Sequence, residues 1–103
     1  MTNRPTLDQV LEIIRFTVTP ENTSAFLEGR AEVERFTGSL AGHVSTELLH
    51  LGGENWLMLI RWEDEAAVKA AQQQTATSPV ITEWINQTAQ FVSFEEGTVR
   101  YVG

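Results

Sequence analysis

Residues 10–18 carry apolar side chains on both parities, Leu11 and Ile13 against Ile14, Phe16 and Val18, which predicts a strand covered on both faces. Thr19-Pro20-Glu21-Asn22 follows, a capping residue with proline in the first helical position, and predicts a helix start. Phe26, Val33, Phe36 and Leu40 continue that helix along one face. Gly29 inside it costs about 1 kcal/mol, and Gly38 or Gly42 ends it. Residues 43–51 alternate Val44, Thr46 and Leu48 with His43, Ser45 and Glu47, the pattern of a strand with one apolar and one polar face. Gly52-Gly53 predicts a hairpin turn into a return strand over 55–62. That strand has Leu57 and Leu59 on one parity and Trp56, Met58, Ile60 and Trp62 on the other, so it belongs inside a sheet. Glu63-Asp64-Glu65 opens an Ala-rich helix through Val68, Ala70 and Ala71, with acids where the helix dipole favours them. Ser78-Pro79 starts a second short helix carrying Val80, Ile81, Trp84 and Ile85. Residues 91–95 predict a last strand, with a short extension over 98–102 after Gly97.

This order predicts an α+β fold, a ferredoxin-like antiparallel sheet with its helices on one face. The first and third strands are apolar on both faces, yet the helices cover only one. A homodimer whose two sheets face each other supplies the missing cover, giving a dimeric α/β barrel. A single domain spans 1–103, with 1–9 read as a flexible N-terminus.

Composition narrows the chemistry. Seven basic against fourteen acidic residues give a formal net charge of −7, which disfavours a binder of nucleic-acid backbones. The absence of cysteine removes disulfides, thiolate nucleophiles and Cys-based metal sites, and points to the cytoplasm. No apolar run has the length of a signal peptide or a membrane span, so no membrane partner is expected and the sequons at Asn22 and Asn86 read as chance. The two histidines, His43 and His50, stand seven residues apart on one strand, which puts them on opposite faces and rules out joint metal binding. No phosphate-cradling glycine loop and no serine elbow is present. No metal is therefore expected.

The chain resembles the antibiotic biosynthesis monooxygenase-like (ABM) family of dimeric α/β barrels. The resemblance rests on Phe16-Thr17-Val18-Thr19-Pro20, on Ala41-Gly42 where the family commonly has Pro-Gly, on Ile60-Arg61-Trp62-Glu63-Asp64-Glu65-Ala66-Ala67, and on Ser78-Pro79. It implies a cofactor-free monooxygenase, or a related small-molecule enzyme, acting on an aromatic or quinol-type substrate in a cavity of the barrel. A non-catalytic dimeric module for small-ligand binding or stress response is the alternative on the same fold. Within the family, the haem-degrading branch needs an Asn on the first strand and a His before the last strand. Those places fall near Ile14 and in residues 72–87, which hold no histidine. The polyketide branch has a Trp that matches Trp62. Its Asn corresponds to Met58, its helix Tyr to Val68 and its strand-two His to Leu49.

The resemblance also implies that Trp62 faces the interior between the sheets. Met58 and Ile60 then share that face, while Leu57 and Leu59 turn to the helices. On the second strand the more apolar parity, Val44, Thr46 and Leu48, is expected toward the helices, sending His43, Ser45, Glu47 and Leu49 into the cavity. A three-residue hairpin loop would bring in His50 instead. Glu12 joins by parity with Ile14 and Phe16, and Trp84 is a further candidate for an aromatic wall. His43 and Glu47 are the candidate bases, because burial raises a carboxylate toward useful basicity. Their alternative role is hydrogen bonding between protomers. Gln72-Gln73-Gln74 reads as a polar helix end, Glu95-Glu96 as a solvated strand end, and Arg15 and Arg61 as partners of Glu12 and Glu63.

Overall fold

The computed structural model describes residues 7–103. Four strands, β1 (Val10–Thr17), β2 (His43–Gly52), β3 (Asn55–Trp62) and β4 (Gln90–Thr98), form one antiparallel sheet in the order β2-β3-β1-β4. The doubly apolar strands β1 and β3 hold its centre, as their patterning requires. Three helices, α1 (Thr23–Gly38), α2 (Glu65–Ala76) and α3 (Pro79–Thr88), complete the ferredoxin-like α+β architecture. Among the described residues no helix is long and apolar enough to cross a membrane.

Local signals act close to where the sequence puts them. Pro20–Asn22 forms one 3-10 turn before α1, rather than the first turn of the helix itself. Asp64 caps α2, its Oδ1 accepting from the Ala67 amide at 2.9 Å. β4 runs unbroken through Gly97, which pairs with Leu11, because the neighbouring strand supplies ladder partners to its end. The expected break there is absent. The flexible segment expected over 1–9 lies mostly outside the described residues. At its end, Gln9 is buried, and backbone bonds link Val99 to Asp8 and Gln9.

The helices cover the face of the sheet that bears Val10, Ile14, Phe16, Trp56, Met58, Ile60 and Trp62, which pack with Phe26, Val33, Val68, Ala71 and Trp84. Trp62 therefore faces the helices and not a space between two sheets. Leu57 and Leu59, expected under the helices, alternate to the opposite face with Leu11 and Ile13 and stay half-buried. Strands apolar on both parities carry no mark of which parity the helices will take.

Gly29 is where α1 lets α3 come close. A Cβ there would lie 2.6 Å from Trp84 Cδ1 and 3.1 Å from Nε1, while that indole donates to the Phe26 carbonyl at 2.8 Å. At an open helix position Gly→Ala gains about 1 kcal/mol. Overpacking costs roughly 1–3 kcal/mol, so Gly29→Ala is expected to destabilise the protein by up to about 2 kcal/mol. A urea midpoint that rises in this variant would contradict the close α1–α3 contact. Gly42 has a second such role. Its φ of +84° disfavours a side chain, and a Cβ there would collide with that of Ala67 on α2.

Candidate functional site

Between the sheet and the helices lies a cavity of about 260 Å³. Its wall is mainly apolar, with Ile14, Met58 and Ile60 from the sheet and Ile81 and Ile85 from α3. Phe91 and Phe94 of β4 also line it, yet are 52% and 40% exposed, so they mark its mouth. The polar groups are Glu12, Thr37, Gln72 and Thr75, together with the indole of Trp62.

Glu12 is the outstanding member. Its residue is only 6% exposed, although its strand neighbours Leu11 and Ile13 are apolar. The β1 pleat turns it to the same face as Ile14, and β3 brings Trp62 within reach. Trp62 Nε1 donates to Glu12 Oε1 at 2.8 Å, and Gln72 Nε2 donates to Oε2 at 3.2 Å. The same Gln72 nitrogen donates to Glu96 Oε2 at 2.9 Å. Burial raises the Glu12 pKa above its ordinary value, the two donated hydrogen bonds oppose this, and the nearby Glu96 charge adds to it.

That shift has a consequence for stability. The group's folded pKa lies above its unfolded value near 4.5, so its favourable contribution is complete below pH 4.5. It is lost as pH rises through the folded pKa, because the ion must then be held in an apolar wall. Relative to Glu12→Gln, the wild-type protein is expected to lose stability between pH 4.5 and neutrality. Denaturant titrations of both proteins across that range measure the difference directly. A difference independent of pH would contradict the burial of an ionisable Glu12.

The sequence-predicted residues separate into three groups. Glu12, Ile14, Met58 and Trp62 line the cavity together. Phe16 and Trp84 do not line it. They join Phe26 in an aromatic cluster, with Phe26 and Trp84 stacked at 4.6 Å between ring centroids. Glu47 and Leu49 lie opposite Leu59 and Leu57 on the face away from the helices, both exposed. They therefore do not share the face of Trp62, from which the register of β2 on β3 separates them. A bulge between His43 and Ser45 and another between His50 and Gly52 interrupt the alternation of β2. Thr46 and Leu48 face the helices as expected, but beside Ile60 and Met58 rather than Leu57 and Leu59.

The same bulges bring both histidines against β3 tryptophans, correcting their expected separation to opposite faces. His43 meets Trp62 edge-on at 5.4 Å, and His50 stacks on Trp56 at 4.5 Å. His43 Nε2 shares a hydrogen bond with Thr46 Oγ1 at 2.7 Å. Burial lowers its pKa, partly offset by Glu34, so the neutral ring is favoured. His43 does not line the cavity, while His50 bonds the Gly53 carbonyl at 2.8 Å. Arg61 donates to Gln9 rather than pairing with Glu63, and Glu12 takes Trp62 and Gln72 rather than Arg15.

The sequence reads Gln72 as part of a polar helix end and Glu96 as part of a solvated strand end. Their one sequence signal is amphipathic placement, Gln72 one residue after the buried Ala71 and Glu96 one before Gly97. Neither pattern distinguishes them from solvated side chains. Among the described residues no group of three His, Asp or Glu side chains converges as a metal ion would require.

No curated protein sequence matches the chain. Solved structures do. A variant of SnoaB, a cofactor-independent oxygenase from Streptomyces nogalater, is 23% identical over 91% of this chain and 93% of its own, with a TM-score of 0.71. MupZ from Pseudomonas fluorescens is 14% identical over 85% of this chain and 69% of its own, with a TM-score of 0.73. A conserved protein from Methanosarcina mazei is 17% identical over 91% and 93%, with a TM-score of 0.69. At such identities the likeness establishes the shared fold. The family model for antibiotic biosynthesis monooxygenase matches residues 9–78, which carry β1 to α2 and with them Glu12, Trp62 and Gln72. By that match the chain belongs to the antibiotic biosynthesis monooxygenase family.

Proposed function

We propose that this protein is a cofactor-independent oxygenase of small hydroxylated aromatic or quinol-type molecules, with Glu12 as its general base. The observation that carries the reading is a buried carboxylate of raised pKa in the wall of an apolar cavity. An apolar wall binds a ring, and a desolvated carboxylate takes a proton from an acidic C–H or O–H of that ring. The substrate anion then gives its electrons to dioxygen. Where a CH₂ group reacts, the peroxide formed at that carbon loses water to leave a carbonyl. One oxygen atom stays in the product, the other leaves as water, and the substrate supplies every electron. Trp62 and Gln72 hold the base through hydrogen bonds to its two oxygens.

The size of the cavity limits the substrate. At about 260 Å³ it falls just under the range of roughly 300–1,000 Å³ usual for ligand pockets, which favours one or two rings over a larger polycycle. The test is oxygen consumption with a panel of one- and two-ring hydroxyarenes, followed by mass spectrometry after turnover in ¹⁸O₂. One labelled atom per product is expected. Tight binding of such compounds without oxygen uptake would overturn the catalytic reading in favour of a binding module.

The same proposal includes a homodimer, as the double-faced patterning of β1 and β3 implies. Leu11, Ile13, Leu49, Leu57 and Leu59 present an apolar surface on the sheet face that carries no helix. Proteins of the family are commonly dimeric. Sedimentation at micromolar concentration is expected to give about 23 kDa, twice the 11.5 kDa chain. A well-folded monomer at that concentration would refute it.

A further inference from the structure

Glu12 on β1 and Glu96 on β4 are direct partners across the antiparallel ladder, a placement in which like charges repel. The ion pairs among the described residues use Arg30, Lys69 and Arg100, and none of them reaches either carboxylate. What comes between the two acids is Gln72 from α2. Its amide nitrogen carries two hydrogens, and the geometry commits one to Glu12 Oε2 and the other to Glu96 Oε2. Trp62 occupies the other oxygen of Glu12.

Resting on the assignment of Glu12 as the base, we propose that Gln72 is its positioning residue and that Glu96 is the anchor that orients Gln72. The residue type at position 72 sets what Glu12 can do. A lysine or arginine between two carboxylates would hold Glu12 ionised but strip it of basicity. An apolar residue would leave the carboxylate free to turn and exposed to the charge of Glu96. A neutral double donor fixes the orientation of Glu12 while leaving it a base. Glu96 prevents the amide from presenting its oxygen to Glu12, because an oxygen cannot donate to either acid. Apart from Glu12 itself, the residues that line the cavity are uncharged, from Ile60 and Trp62 on β3 to Val33 and Thr37 on α1 and Ile81 and Ile85 on α3.

The indole N–H of Trp62 reports on this arrangement without any substrate. Its ¹H–¹⁵N resonance, assigned with Trp62→Phe, is expected to titrate with a midpoint above the ordinary carboxylate value of 4.5. Glu12→Gln is expected to abolish that titration. Gln72→Leu is expected to raise the midpoint by removing a donor to the ionised form. Glu96→Gln is expected to lower it by removing the repelling charge, and Gln72→Lys to lower it by adding a cation. Leu and Lys are both good helix formers, and unchanged resonances of Trp56 and Trp84 verify the fold. Midpoints at the wild-type value in both Gln72→Leu and Glu96→Gln would overturn the proposal, as would a titration that survives Glu12→Gln. Because the protein is ligand-free throughout, the midpoints can move as stated even if no hydroxyarene is oxygenated. That combination would overturn the proposed activity and uphold the positioning role.

Discussion

Glu12→Gln is expected to lower turnover of an accepted hydroxyarene by roughly 10²- to 10⁴-fold, the usual contribution of a general base. Gln keeps the shape of the side chain and can still accept from the Trp62 indole, so substrate affinity is expected to change little. The loss falls on kcat, because the proton transfer belongs to the transition state. On the proposed mechanism the wild-type rate should rise with pH through the folded pKa of Glu12, which burial holds above the ordinary carboxylate value. Glu47→Gln and His50→Ala provide the comparison. Glu47 is exposed on the face away from the cavity, and His50 stacks on Trp56 at the far end of β2, so both variants should retain near wild-type rates. A large loss in Glu47→Gln with Glu12→Gln unaffected would move the chemistry to the open face of the sheet. Indifference of all three would remove the base from the mechanism.

Trp84→Ala is expected to cost about 3–5 kcal/mol of stability, the range for truncating a large buried aromatic. Whole domains are stable by only about 5–15 kcal/mol, so a substantial share of the fold's stability is at stake. Trp84 is 5% exposed, stacks on Phe26 and meets Phe16 edge-on at 6.3 Å. Its indole also donates to the Phe26 carbonyl, a bond the truncation leaves without its donor. Trp84→Phe keeps most of the ring contact and should lose less. Denaturant unfolding ranks the two variants. Since Trp84 does not line the cavity, Trp84→Phe should bind hydroxyarenes with wild-type affinity. A selective loss of affinity in a stable Trp84→Phe protein would return this residue to the site.

The element order was legible in the chain because each signal is local. The Gly52-Gly53 turn, the acidic Glu63-Asp64-Glu65 run, Pro20 and Pro79 at helix starts, and the continuous apolar runs of β1 and β3 act within a few residues. Apolar residues on both parities of β1 and β3 placed those strands at the sheet centre. Glu12, Ile14, Met58 and Trp62 share one face, since within β1 and within β3 the alternation is unbroken, though that face looks to the helices and not to a second sheet.

Two things were beyond the sequence. The pairing of β2 with β3 was one, because bulges at both ends of β2 put Thr46 and Leu48, rather than Glu47 and Leu49, on the face of Met58 and Ile60. The other was the surroundings of Glu12. Its partners Trp62 and Gln72 lie 50 and 60 residues away, and Gln72 reaches a further 24 residues on to Glu96. The sequence by itself determined the strands, helices and central strand pair, through short-range propensity and periodicity. Only the tertiary structure decided which face the helices cover, and so which carboxylate is desolvated. Desolvation depends on what packs over a side chain, and that is settled by elements far apart in the chain.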